Sequence, residues 1–178
     1  GAVMFALNQG EICTCPSRLL VHEDIYEKFI AKVIERTEAI ATGHPLDKNT
    51  MMGAQTSMIQ KEKILSYIKL GKEEGAELLT GGFENTHDGE LEGGYYIKPT
   101  LFKGHNKMRI FQEEIFGPVL AVTTFKTTEE AIEIANDTIY GLGAGLWTRD
   151  AHEIYQVPRA IQAGRVWINQ YHSYPAGA

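Results

Sequence analysis

Four times along the chain a small polar residue stands three positions ahead of a Glu or Gln and opens an amphipathic run. The pairs are Asp24 with Glu27, Ser57 with Gln60, Thr127 with Glu130, and Asp150 with Glu153. At that spacing the first side chain can accept from the N–H three residues on, while the acid or amide reaches back, so each pair predicts a helix start. Between these starts lie short runs rich in apolar and β-branched residues. They are "SRLLVHE" (17–23), "AELLTGG" (76–82), "GPVLAVTTFK" (117–126), "GAGLWT" (143–148) and "GRVWIN" (164–169). Short strands alternating with helices predict an α/β fold with an open, largely parallel sheet flanked by helices. No internal repeat or low-complexity linker divides the 178 residues, so the expectation is one domain over 1–178.

Further along the chain, local signals refine this reading. In the first helix Ile25, Tyr26, Phe29, Ile30, Val33, Ile34 and Ile40 share a face, with Asp24 as its cap and Gly43 as its close. Gly75 ends the second helix, and the acidic, glycine-rich "GGFENTHDGELEGG" (81–94) predicts an exposed loop. Pro99, within "YYIKPTLFKG" (95–104), favours an edge strand. Pro158 is expected to kink or shorten the last helix, because an interior proline costs ~3 kcal/mol.

Composition narrows the function classes. Hydrophobic residues are 43% and charged residues 22%, the balance of a globular chain. No apolar run approaches the ~20 residues of a membrane span, and "GAVMFALNQG" lacks the basic region of a signal peptide. The net charge of −6 is spread among interspersed acids and bases, so nucleic acid is not an expected partner. Two cysteines are too few for a disulfide-built fold, which points to a reducing, cytoplasmic location.

Both cysteines lie in "NQGEICTCPSR" (8–18). A C-x-C pair needs further metal ligands, and neither the histidines nor the acids supply a recognisable spacing, so no metal site is expected. Two buried structural thiols are one reading. The flanks suggest another, because an apolar helix-like stretch, "AVMFAL", gives way to "NQGE", then Cys13, then Pro16. A thiol at such an abrupt element end could attack a carbonyl and have the oxyanion stabilised by its own N–H. In "FQEEIFGPV" (111–119), Glu113 and Glu114 on an extended chain would point to opposite faces and not share a substrate; alone, the stretch reads as a charged turn into a strand. The glycines of "YGLGAGLW" (140–147) sit between a preceding helix and a following strand, the reverse of a dinucleotide loop, so they read as sites of close packing. "VWINQYHSYPAGA" (166–178) places Trp167, Tyr171 and His172 beyond a strand end, where ligands of open α/β sheets collect.

Together, "ALNQGEICTCPS", "EEIFGPV", "NDTIYGLGAG" and "AGRVWIN" resemble blocks of the aldehyde dehydrogenase superfamily, in the right order and over essentially the whole chain. The resemblance implies that Cys13 is the nucleophile and Cys15 a bystander. It further implies a thiohemiacetal, hydride transfer to NAD or NADP, with NAD favoured, and a thioester hydrolysed to the acid. By the same resemblance Glu114 holds the nicotinamide ribose, Phe116 lies against the nicotinamide, and Gln60 and Lys63 approach the cofactor ribose. His172 and Tyr174 line the substrate entrance, and the substrate class is short aliphatic aldehydes such as acetaldehyde. Family members are longer, so residues 1–178 are expected to be part of a catalytic domain. The cofactor domain, the general-base glutamate and the oxyanion-hole asparagine would lie elsewhere in a homo-oligomeric enzyme, leaving this piece alone inactive. Alternatives are a relative that transfers the acyl group to coenzyme A, an esterase, a non-catalytic binding or assembly module, and a crystallin-like structural role.

Overall fold

A computed structural model describes residues 1–174. Strands β1 (Arg18–His22), β2 (Glu77–Thr80), β3 (Thr100–Lys103) and β4 (Val119–Phe125) form one sheet in the order β1-β4-β3-β2. The strands β1 and β3 run parallel to β4, and β2 runs antiparallel at the edge. A second sheet pairs β5 (Gly143–Leu146) with β6 (Arg165–Ile168) in parallel. The helices are α1 (Tyr26–Glu38), α2 (Met58–Glu73), α3 (Arg109–Gln112), α4 (Thr128–Asn136) and α5 (Ala151–Ala160). The expected open, mostly parallel α/β architecture is present, divided between two sheets.

Burial explains why "VLAV" reads as a continuous apolar run. Leu120 and Val122 of β4 face a core with Phe5, Val21, Ile30 and Leu101, on the side of α1. Val119 and Ala121 face a second core with Ile64, Ile68, Phe102 and Phe111, on the side of α2. A strand covered on both faces has no polar side to show, as strands of parallel sheets generally do. No described helix is long and apolar enough to cross a membrane.

Three of the four expected caps form. Ser57 accepts from the Gln60 N–H at 3.2 Å, Thr127 from Glu130 at 3.2 Å, and Asp150 from Glu153 at 3.0 Å. Asp24 does not cap α1. It lies inside a short 3-10 turn (Glu23–Ile25), and its own N–H donates to the His22 ring at 3.3 Å. Nor does Gly43 close that helix, which ends at Glu38 with Ala39 as its C-cap before Ile40 turns into the core. Ile25 and Phe29 stay exposed, while Tyr26, Ile30 and Val33 are buried as the face predicts. Pro99 does not mark an edge. It precedes β3, an interior strand, and so removes no ladder hydrogen bond. The helix α5 continues only two residues past Pro158, to Ala160, so the bond that the proline's missing N–H forfeits falls in its last turn. The short α3 has no cap signal and is not foreseen by the sequence.

Leu120 is fully buried at the centre of this arrangement. Leu120→Ala is expected to lower the unfolding free energy by about 2–5 kcal/mol, read as a reduced urea midpoint with unchanged slope.

Candidate active site

The segment before β1 reaches its place by a backbone crossing. Gly10 has a φ of +73°, and a Cβ there would collide with the Gly117 carbonyl and lie 2.6 Å from the Pro118 nitrogen. Only glycine permits both the angle and the approach. The neighbours Asn8 (φ 48°), Gln9 (φ 60°) and, across the crossing, Phe116 (φ 58°) also occupy the left-handed region. Strained non-glycine backbone concentrated in two touching loops is a recognised mark of functional positions.

Past the crossing, Cys13 sits in a tight turn closed by the Cys15 N–H donating to the Ile12 carbonyl at 2.9 Å. The turn is tied from several directions. The Cys15 thiol donates to the Leu7 carbonyl at 3.3 Å, and the Tyr171 hydroxyl donates to the Thr14 carbonyl at 2.9 Å. Glu11 accepts the Thr56 N–H with both carboxylate oxygens, at 3.1 and 3.2 Å, anchoring the loop ahead of α2. Burial nonetheless raises the Glu11 carboxyl above its ordinary range. Cys13 is exposed, whereas Cys15 is half-buried and burial pushes its thiol up.

The facing loop separates the two adjacent acids. Glu113 ends α3, where Arg109, one turn earlier, donates to it at 2.6 and 3.0 Å and the Tyr67 hydroxyl at 2.8 Å. These bonds hold the Glu113 carboxyl below the usual carboxylate range, with Arg109 the larger cause. Glu114, next in the chain, is exposed, and both acids line one cavity. The Gln60 amide donates to the Ile115 and Phe116 carbonyls at 3.2 and 2.6 Å, pinning the loop to the first turn of α2.

The cavity, about 780 Å³, is lined by Cys13, Glu114, Phe116 and Tyr171 and extends into a slot between β1 and β5. Neither strand is paired on that side among the described residues. Three of the residues singled out from sequence therefore share one wall system. Gln60 and Lys63 lie on α2 outside the cavity lining, and Gln60 reaches it through the loop it holds. His172 and Tyr174 also stand outside the lining. They pack around Trp167, with ring centroids at 6.4 and 5.7 Å. Glu11 was passed over by the sequence reading, and Tyr171 was noted only as standing beyond a strand end. The glycines of β5 were the available signal for Tyr171, since small residues on a strand leave room for rings. No group of three or more His, Cys, Asp or Glu among the described residues is arranged to hold a metal ion. The exposure of Cys13 and the raised, half-buried Cys15 thiol predict that iodoacetamide at pH 8 modifies Cys13 at least about tenfold faster than Cys15, as mapped by peptide mass.

Residues 2–178 match the Aldehyde dehydrogenase family. Acetaldehyde dehydrogenase 2 of Cupriavidus necator is 66% identical over 178 residues, all of this chain and 35% of that protein. Among solved structures, HpcC from Thermus thermophilus superposes with a TM-score of 0.93 at 43% identity, over 99% of this chain and 35% of that one. The P. syringae indole-3-acetaldehyde dehydrogenase AldA, solved as a mutant with NAD+ and IAA, gives a TM-score of 0.92 at 48% identity, over 97% of this chain and 34% of that one. The chain thus spans about a third of the length of the relatives it matches.

Proposed function

Since this chain belongs to the aldehyde dehydrogenase family, we propose that Cys13 is the nucleophile of an NAD(P)-dependent oxidation of a small aldehyde to its carboxylic acid, carried out by the full-length enzyme. The observation that carries this reading is the exposed Cys13 on the wall of the same cavity as Glu114 and Phe116, in a turn fixed by hydrogen bonds on several sides. A nucleophile held in place converts collision into near-attack geometry. The Cys13 thiolate adds to the aldehyde carbon, forming a C–S bond while the carbonyl electron pair moves to oxygen. The Cys13 N–H stands ready to stabilise that oxyanion. When bound, NAD(P)+ supplies the acceptor for the hydride that leaves the tetrahedral adduct. Water then cleaves the Cys13 thioester, releasing the acid and restoring the thiol.

Chemistry of the donor set fits the cofactor. Glu114 is an acceptor-only carboxylate on the cavity wall, suited to a pair of ribose hydroxyls, and Phe116 offers a flat apolar ring beside it. Gln60 serves by holding the Ile115 and Phe116 carbonyls, and Lys63, one turn further along α2, lends positive charge toward the ribose. His172 and Tyr174, in the aromatic cluster around Trp167, border the approach of the substrate. The Cupriavidus relative's name supports acetaldehyde or a similarly short aldehyde, and the NAD+ present with AldA favours NAD. On this reading residues 1–178 are part of a catalytic domain, and the rest of a cytoplasmic, homo-oligomeric protein supplies the cofactor domain.

The test follows NAD(P)H formation from acetaldehyde by the full-length enzyme. Cys13→Ala is expected to lose at least about 10³-fold in kcat, and Cys15→Ala to keep activity within a few-fold. Loss confined to Cys15→Ala would move the nucleophile to that residue, and acyl-CoA in place of acid would change the acceptor. Residues 1–178 purified alone are expected to give no NAD(P)H above a Cys13→Ala control. Turnover above that control would show that the remaining two thirds of the protein is dispensable.

A further inference from the structure

Beyond β6 the chain turns back at Asn169 (φ 55°) and brings the Tyr171 hydroxyl to the Thr14 carbonyl at 2.9 Å. The two residues are 157 positions apart, so this bond ties the β5-β6 sheet to the nucleophile turn. The ring has a built seat. It stacks on Trp147 (6.2 Å between centroids, 28°) and tilts onto Trp167 (4.7 Å, 54°). Gly145 in β5 makes the seat possible, because a Cβ there would lie 2.6 Å from Tyr171 Cδ2 and 2.8 Å from Trp147 Cζ3. A glycine weakens a strand, so its place here is explained by the ring it admits. Burial pushes the phenol up to about 12, which keeps it a proton donor through neutral and alkaline pH.

The Thr14 carbonyl is no passive partner. It belongs to the same peptide unit as the Cys15 N–H, which donates to the Ile12 carbonyl at 2.9 Å. The Ile12 carbonyl in turn belongs to the peptide unit whose N–H is that of Cys13. The phenol and two peptide groups are therefore linked in series, and each accepted hydrogen bond polarises the amide and strengthens its own N–H as a donor. We infer that Tyr171 is a positioning residue that strengthens the Cys13 N–H as oxyanion donor through the Thr14–Cys15 and Ile12–Cys13 peptides. No proton is transferred, and Tyr171 stays protonated throughout. The inference rests on the proposed role of Cys13 as nucleophile.

Two reactions of the same thiol separate this role from simple support of the fold. Addition to an aldehyde builds an oxyanion, whereas alkylation by iodoacetamide attacks a saturated carbon and builds none. In the full-length enzyme, Tyr171→Phe is expected to lower kcat/KM for acetaldehyde about three- to tenfold, the scale of one hydrogen bond. Cys13 alkylation, followed by peptide mass, and NAD+ affinity should stay within about twofold, since neither draws on that bond. A parallel fall in oxidation and alkylation would assign Tyr171 to the fold alone, and no fall in either would remove its role; both results overturn the inference. Should Tyr171→Phe not fold, Gly145→Ala displaces the ring while keeping the hydroxyl, and it must produce the same split between the two reactions. A folded wild-type enzyme whose Cys13 alkylates readily but which forms no NAD(P)H from aldehydes would overturn the proposed function instead, and this inference with it.

Discussion

Where the chain crosses itself at Gly10 and Gly117, no side chain separates the two backbones, and almost everything at the site depends on that contact. A Cβ at Gly10 would meet the Gly117 carbonyl, so the loops can approach there only as bare backbone, and a Cβ at Gly117 would meet the Ile64 side chain of α2. The crossing brings Cys13 and Glu114 to one cavity although they come from distant parts of the chain. It also explains why three left-handed non-glycine residues, Asn8, Gln9 and Phe116, are tolerated together. Each costs on the order of 1–3 kcal/mol in isolation, which the surrounding packing must offset.

The polar contacts around the crossing divide into those that hold loops and those that leave groups available. Glu113 is fully engaged by Arg109 and Tyr67, and Gln60 by two loop carbonyls. Arg18 performs a similar task where β1 begins. Its guanidinium donates to the Asn106 side chain and to the Ile134 and Ala135 carbonyls near the end of α4. A cation at a helix C-terminus satisfies carbonyls that have no partner within the helix. Cys13 and Glu114 are framed by these engaged neighbours, and both remain exposed.

Features set by near neighbours in sequence were legible. Ser57, Thr127 and Asp150 announce their helices because a cap is a contact within one turn. Asp24 misled because the His22 ring, two residues ahead of it, accepts the N–H to which Glu27 would have reached back. Pro99 misled because its edge meaning depends on strand order, which no local signal reveals. At the site, the flanks of Cys13 were distinctive, and the blocks around Glu114 and Phe116 carried a family resemblance. The different fates of Glu113 and Glu114 required α3, whose four residues carry no start signal. Tyr171 was placed beyond a strand end but given no partner, since that partner lies 157 residues away and a hydroxyl announces nothing about what it will reach. Its neighbours His172 and Tyr174 were singled out through the family resemblance, and they pack around Trp167.

The parallel pairing of β1 with β4 has a consequence in time as well as in space. These strands come from opposite sides of α1, α2 and two other strands, and the crossing of Gly10 over Gly117 lies just ahead of both. Joining them requires a long loop to close before any ladder bond compensates, a step that slows folding. Until it closes, Cys13 belongs to a segment with no cavity behind it. Reactivity at the thiol is thus coupled to completion of the most remote pairing in the first sheet, so that an unfinished chain carries a cysteine without a site.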